Sequence, residues 1–321
     1  MPNPNKGKFI KQPWHAKALK LYKSGMSVRE VATEVDMGRD VVQRVVKHHG
    51  IQRTNKDALR LKAGPKRTPN ILLFDLETSP MLSWHWRVWK ENIRPHQIVQ
   101  YSHVLCWAAK WLDQKTIMFD SMQKDKTDER ICKTLWDLFD RADSVIAHNG
   151  KAFDTAMMNA RWANYGMGEP SAYKTIDTLQ IARKTFNIPH KSLEGILDYF
   201  DMGGKLSHEG FGLWLKCMDG NRKAWKHMEA YNVEDVFKLE EVYRLIRPFA
   251  KRHPNVALWH NDTKLRCICC GHEINEAKHQ IKSNDAYTSL SCFDSFRCPK
   301  CKKVMRSGKR KDVKALLRHA L

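Results

Sequence analysis

No stretch of this chain restricts its fold as tightly as residues 70–80, NILLFDLETSP, where four apolar residues run directly into two carboxylates, Asp75 and Glu77. A short apolar run of this kind reads as a strand buried in a sheet. Side chains alternate along an extended backbone, so Asp75 and Glu77 leave the strand on the same side. Both stand near its carboxyl end, a common position for a site in an α/β sheet.

Short apolar runs then alternate with stretches of helical period. The pattern predicts strands near 71–75, 104–111, 115–120, 144–148 and 173–177, and helices near 128–140, 153–166, 192–200 and 225–247. Two or three antiparallel strands come first and helix-linked strands follow, so the expected fold is α/β with a mixed sheet. Neither a dinucleotide glycine fingerprint nor a phosphate loop follows the first strand.

Two further acids fall at informative places. Asp154 follows the strand and turn SVIAHNG at the start of a helix, where it equally fits a charge that complements the helix dipole. Tyr231 and Asp235 stand four residues apart on the last long helix and share a face, as an ordinary exposed pair also would. Together these elements make sense as a divalent-ion site, because carboxylates gathered in one pocket otherwise repel and raise their own pKa values. Mg2+ or Mn2+ suits hard carboxylate oxygens, and two ions about 3.5–4 Å apart can activate water and stabilise a leaving oxygen during phosphoryl transfer.

DLETSP, HNGKAFD and YNVED, in that order, resemble the three motifs of the ribonuclease H-like 3′–5′ exonucleases of the four-acid group with a tyrosine in the last motif. The resemblance spans about residues 71–247 and is nearest to exonucleases related to the proofreading domains of family B DNA polymerases, free-standing phage-type enzymes included. It implies a ribonuclease H-like mixed sheet flanked by helices, with two Mg2+ or Mn2+ ions held by Asp75, Glu77, Asp154 and Asp235. Asp75 would be shared between the ions, Glu77 and Asp235 would serve the attacking side, and Asp154 the other ion. Tyr231 would orient the nucleophilic water, since a phenol with a pKa near ~10 positions a hydrogen bond better than it acts as a base at neutral pH. The resemblance also implies release of 5′-mononucleotides from a 3′ end.

Other residues are candidates for contact with the substrate. Asn149 and Phe153 resemble family residues that pack around the terminal nucleotide, or are a turn-capping Asn and a core Phe. Lys191 resembles a basic residue that some relatives bring near the cleavage site, or is a solvated loop lysine. Asp177 ends another strand and is expected to support the site or cap a helix. The insert at 79–101 is rich in aromatic and basic residues. In it Trp84, Trp86 and Trp89 with Arg87 could wall a single strand, although Trp84 and Trp86 equally fit a core.

The 56 Lys and Arg against 35 Asp and Glu give a net charge of +21, concentrated at the two ends. Residues 1–70 carry 16 basic and 5 acidic side chains, residues 251–321 carry 16 and 6, and the centre is balanced. Such ends attract a polyanion, or merely solubilise. Residues 1–61 are expected to form a helix-turn-helix-like module of three short helices. Gly25 and Met26 would break the first helix and Ser27 cap the second, while Arg39, Gln43, Arg44 and Lys47 would face DNA from the third. A helical bundle for protein contact has the same pattern. Residues 62–70, KAGPKRTPN, read as a linker before an exonuclease domain at 71–250.

Residues 251–321 hold two CxxC knuckles, Cys267 to Cys270 and Cys298 to Cys301, with 27 residues between them. That is the spacing of a zinc ribbon carrying one structural Zn2+ on Cys267, Cys270, Cys298 and Cys301, with Cys269 an alternative to Cys267 and a disulfide scaffold the rival reading. Gly271 would let the first knuckle turn, and the lysine-rich stretch that follows the second is expected to be helical. The start of the chain shows no secretion signal and no apolar run is long enough to cross a membrane, so the expectation is a cytoplasmic protein, in a host cytoplasm if phage-encoded. The function expected is a metal-dependent 3′–5′ exonuclease for DNA, with a single-stranded 3′ end as partner and replication or repair proteins as further ones. An RNA exonuclease on the same fold and a silent nucleic-acid-binding adaptor are the alternatives. The remaining length leaves no room for a polymerase region, which suggests a free-standing enzyme or an accessory factor.

Overall fold

A computed structural model describes residues 12–24, 26–51, 68–204, 209–260, 262, 264–282 and 285–311. The chain divides into two units, residues 1–68 with 258–265, and residues 69–257 with 266–321. In the first unit three helices follow one another, α1 (Pro13–Lys23), α2 (Val28–Glu34) and α3 (Arg39–His48). Pro13 pre-sets the first turn of α1. Ser27 caps α2 in a reciprocal box: its hydroxyl accepts from the Glu30 amide at 3.2 Å and Glu30 accepts from the Ser27 amide at 2.6 Å. Ala18, Tyr22, Val31, Ala32, Val42 and Val46 close a small core, which leaves Arg39, Gln43, Arg44 and Lys47 exposed along α3. Gly25 and linker residues 62–67 lie outside the described residues.

The second unit opens with the strand that ends in the two acids, β1 (Ile71–Thr78), and a small ribbon, β2 (Leu82–Ser83) and β3 (Ile98–Gln100). Next come β4 (Val104–Trp111), β5 (Ile117–Ser121), α4 (Glu129–Asp140), β6 (Ser144–Ala147), α5 (Asp154–Asn164) and β7 (Lys174–Asp177). Helices α6 (Thr178–Thr185), α7 (Leu193–Tyr199), α8 (Phe211–Met218) and the long α9 (Arg222–Ile246) complete the layers. The sheet order is β5-β4-β1-β6-β7. β1 is antiparallel to β4 and parallel to β6, which makes the sheet mixed, as expected. Helices α6 and α8 were not expected. α6 starts where Asp177 accepts from the Gln180 amide at 3.1 Å, so the residue that ends β7 also caps a helix.

β1 is central and alternates strictly. Leu72, Phe74 and Leu76 enter a core with Ile131, Leu135 and Phe139 of α4 and Trp162 of α5. Each such side chain contributes about 1.5–3 kcal/mol when fully buried. Asp128, fully buried, ties this layer together: its carboxylate accepts from the Val104 amide at 2.8 Å, from Arg161 Nε at 2.8 Å and from the Tyr165 hydroxyl at 2.5 Å. On the opposite face, α9 crosses β1 and β4. A buried ion pair between Lys110 of β4 and Glu240 of α9 anchors that crossing.

The C-terminal part contains a short helix, α10 (Glu276–His279), and strands β8 (Ala286–Tyr287), β9 (Cys292–Arg297) and β10 (Val304–Arg310) in an antiparallel sheet of order β10-β9-β8. Val304–Arg310 is a strand and not the helix expected of the lysine-rich stretch after the second knuckle. The second knuckle turns the chain back along β9, pairing Val304 with Arg297 and Met305 with Phe296, and Met305 packs against the cysteine cluster while its neighbours face outward. Residues 312–321 lie outside the described residues. Among the described residues no helix is long and apolar enough to cross a membrane.

Candidate active site

The alternation that buries Leu72, Phe74 and Leu76 sends Asp75 and Glu77 to the face where α9 lies. In β4 they stand opposite Ala108 and Cys106, and the ladder slips just after Glu77. A register shift there adds local twist and re-aims the end of the strand, as bulges beside sites commonly do.

The third acid arrives from the helix. The buried stripe of α9 runs through Ala224, Trp225, Met228, Tyr231, Asn232, Asp235, Val236 and Leu239, so two polar side chains interrupt an otherwise apolar seam. Asp235 is 4% exposed, and one carboxylate oxygen each from Asp75, Glu77 and Asp235 lie within 4.8 Å of one another. Asn232, fully buried, donates from Nδ2 to Asp75 Oδ2 at 2.7 Å and fixes that carboxylate. Sequence reading missed Asn232, although an amide on the apolar stripe between Tyr231 and Asp235 was a visible signal.

Tyr231 lies nearly buried on the same stripe, with its ring edge-on to Trp214 at 6.3 Å. Burial, and then the charges of Asp235, Glu77 and Asp75, push its phenol far above the ordinary value. It therefore stays protonated and can act as a hydrogen-bond donor.

Asp154 is placed differently from the other three acids. It begins α5 behind the turn, is 4% exposed, and is not one of the three that converge within 4.8 Å. Burial raises its pKa to about 7, with the Asp177 charge adding to the rise and hydrogen bonds from its own amide and that of Leu76 opposing it. The Leu76 contact places it beside β1, between the two strand acids in sequence. The turn before it is tight. Asn149 takes a left-handed φ of 66°, which Asn tolerates, and a Cβ on Gly150 would stand 2.3 Å from Ala147 Cβ. Asp177 holds this turn by accepting from the Asn149 amide at 3.1 Å and the Lys151 amide at 3.4 Å, the supporting role expected of it. His148, also missed, bridges Thr178 Oγ1 at 2.9 Å and the Lys191 carbonyl at 3.0 Å.

Phe153 is 46% exposed, which removes the core reading and leaves a ring open to contact beside Asp154. Lys191 donates its ammonium to the Ile188 carbonyl at 2.7 Å. In the insert the core reading also falls, since Trp84, Trp86 and Trp89 are 73%, 95% and 82% exposed. Trp84, Trp86 and Arg87 line a groove of about 1010 Å³ together with Lys90 and Arg94.

The donor set suits divalent cations. Three carboxylates within 4.8 Å offer hard oxygens at a spacing an octahedral ion can span, since Mg–O bonds of about 2.1 Å put ligand oxygens about 3 to 4 Å apart. The second donor set is the four sulfurs of Cys267, Cys270, Cys298 and Cys301, also mutually within 4.8 Å. Cys267 and Cys301 approach to 3.5 Å and Cys270 and Cys298 to 3.6 Å, far longer than the ~2.05 Å of a disulfide and close to the ~3.8 Å edge of a tetrahedral Zn–S4 centre. All nine cysteines are free thiols; Cys269 is not one of the four sulfurs that converge, its thiol donating to the Arg247 carbonyl at 3.6 Å while its amide donates to Cys267 Sγ at 3.4 Å. Gly271 supplies a left-handed residue after the first knuckle, and Lys302 does so after the second.

A family model described as the RNase_H superfamily matches residues 95–247, a range that holds Asp154, Tyr231 and Asp235 and begins after Asp75 and Glu77. The chain is similar, with a TM-score of 0.42 and 16% identity, to the family B DNA polymerase from the hyperthermophilic archaeon Pyrobaculum calidifontis. That match covers 58% of this chain and 26% of the polymerase, so the chain spans about a quarter of that protein's length. A comparison with curated proteins finds no match. The mixed five-stranded sheet and the superfamily match describe an RNase H-like fold, and the acidic group gives it a candidate metal site.

Proposed function

We propose that this protein is a metal-dependent 3′–5′ exonuclease acting on DNA. The observation that carries this reading is the convergence of Asp75, Glu77 and Asp235 within 4.8 Å, from positions 160 residues apart in the chain. Asp75, Glu77 and Asp235 are the residues that would hold a divalent ion, with Asp154 beside them as the ligand of a second. Bound there, such ions would supply water activation and stabilisation of the leaving oxygen.

The remaining chemistry belongs to the chain. Tyr231, kept protonated, orients the attacking water by donating its hydroxyl hydrogen bond. Asn232 holds the Asp75 carboxylate in place. Asn149 and Phe153 stand on the turn before α5 and take the terminal nucleotide, the amide by polar contact and the half-exposed ring by stacking. Trp84 and Arg87 carry the strand onward across the exposed insert. Lys191, held by the Ile188 carbonyl, is the least direct of these contacts. The exposed side chains of α3 give the first unit a surface for the nucleic-acid backbone.

The test is a Mg2+-supplemented time course on 3′-labelled and 5′-labelled single and double strands of DNA and of RNA. The expected result is stepwise loss from the 3′ end of DNA with 5′-mononucleotide products. Digestion of RNA alone would make the enzyme a ribonuclease on the same fold, and binding without cleavage would make it an adaptor.

A further inference from the structure

The C-terminal end of α9 and the cysteine module face each other across a groove of about 830 Å³ that lies outside the acidic site. Arg247, Lys251, Arg297, Lys300, Lys302 and Lys303 line it, and among the described residues no acidic side chain does. Arg244 lines it too but is committed to ion pairs with Asp113 and Glu240. Part of this charge has a local use, because a Zn2+ ion in four thiolates carries two net negative charges. Six cations exceed that demand: Arg247 is buried, Lys302 and Lys303 donate to the Pro299 and Ala250 carbonyls at 2.9 and 2.8 Å, and Lys251, Arg297 and Lys300 are exposed.

Two features point to the kind of occupant. Arg247 is 5% exposed and lies over the Tyr243 ring at 5.6 Å, and its Nε meets no acceptor among the described residues. Beside it Phe249 is 54% exposed, with its ring steadied edge-on by Phe186 at 5.3 Å. A cationic channel with an open aromatic face is the surface that single-stranded nucleic acid uses, phosphates on the cations and a base on the ring. An acidic peptide would need the cations but not the ring.

We infer that this groove binds a single-stranded segment of the polynucleotide, as a second contact remote from the acids. From Asp235 to the end of α9 is about 17 Å at ~1.5 Å per residue. At ~3.4 Å per nucleotide along one strand that is about five nucleotides. The groove therefore holds the strand about five or more nucleotides back from the end being processed. This deepens the reading of the acidic site as a nuclease, because it names where the retained strand is gripped.

The experiment is fluorescence anisotropy of a labelled 20-nucleotide DNA single strand in EDTA, titrated with salt, on the full chain with its zinc content measured. The triple variant Lys251→Glu/Arg297→Glu/Lys300→Glu reverses three exposed charges. It is expected to weaken binding ten-fold or more and to flatten the salt slope by about 2, at about 0.7 for each phosphate no longer neutralised. Phe249→Ala is expected to weaken binding about five-fold or more with the slope unchanged. Each single reversal reads the same slope in smaller steps if the triple variant loses zinc or unfolds. Unchanged affinity and slope in correctly folded variants would overturn the inference, as would equal competition by polyglutamate of matched charge. Because binding is read without cleavage, a failure of the nuclease reading would appear separately, as absence of product with Mg2+.

Discussion

Asn232 donates its side-chain amide to Asp75 at 2.7 Å, joining the long helix to the central strand at one of the three acids that converge. The bond neither supplies a charge nor removes one. It sets which way the Asp75 carboxylate points, which is the kind of outer contact that governs how well a ligand holds its ion. Replacing Asn232 with Ala should lower divalent-ion affinity and turnover about 10- to 100-fold, the range typical of such outer contacts. Mn2+ titration by calorimetry beside a rate measurement checks this, and unchanged Mn2+ affinity would remove the role assigned to the bond.

Gly150→Ala probes the turn that carries Asn149, Phe153 and Asp154. The added Cβ would lie 2.3 Å from Ala147 Cβ, at the rigid end of β6, so the turn has to move. Overpacking of this sort costs about 1–3 kcal/mol. The expected outcome is a lower melting temperature together with a larger loss of nuclease rate than Gly168→Ala gives, a site where a Cβ meets nothing within 4 Å.

Asp128 gives a pH dependence with a definite sign. Burial opposes its ionisation, but hydrogen bonds from Arg161, Tyr165 and Val104 outweigh burial and hold its pKa below the ordinary carboxylate value. The stability it contributes is therefore present above the unfolded pKa of about 3.9 and is lost as pH falls through the lower folded value. Asp128→Asn, which leaves Arg161 short of its partner, should destabilise the domain by about 3–5 kcal/mol at neutral pH and flatten the acid limb of its stability curve. Urea unfolding at several pH values reads both effects.

The cysteine module should hold one equivalent of zinc by elemental analysis. Cys298→Ser should lose it and unfold the small sheet, whose core is little more than the four thiols with Ile274 and Phe296. Cys269→Ser should keep the metal, because that sulfur is not one of the four that converge and donates to the Arg247 carbonyl. Zinc retained by Cys298→Ser would contradict the ligand set.

The legible parts of the molecule were those where a local pattern forces a long-range outcome. Strict alternation along Ile71–Glu77 predicts that the acids leave the sheet on one side, and the stripe on α9 predicts that Tyr231 and Asp235 share a face. Two CxxC knuckles predict a four-sulfur cluster whatever lies between them. His148 stayed hidden because its partners, Thr178 and the Lys191 carbonyl, are remote in sequence, while Asn232 was in view as an amide on the apolar stripe of α9 but its partner, Asp75, lies 157 residues away and no spacing announces that pairing. The strand Val304–Arg310 differs from the expected helix because its basic side chains, Arg306, Lys309 and Arg310, suit an exposed helix as well as an exposed strand. Its pairing with β9 is imposed by the knuckle and not by propensity. The exposure of Phe153 and of the tryptophans at 84, 86 and 89 has the same origin, since a large aromatic reads alike in a core and on an open surface.

The central claim is that Asp75, Glu77 and Asp235 form a divalent-ion centre that cleaves phosphodiester bonds. Its most direct test is the Mg2+-supported release of mononucleotides by the wild-type protein and by Asp75→Ala side by side, with zinc content and melting temperature measured on both. The expected result is a loss of about a thousand-fold or more in the variant, equivalent to several kcal/mol of transition-state stabilisation, with zinc and fold retained. Metal-dependent turnover close to wild type in Asp75→Ala would contradict the account.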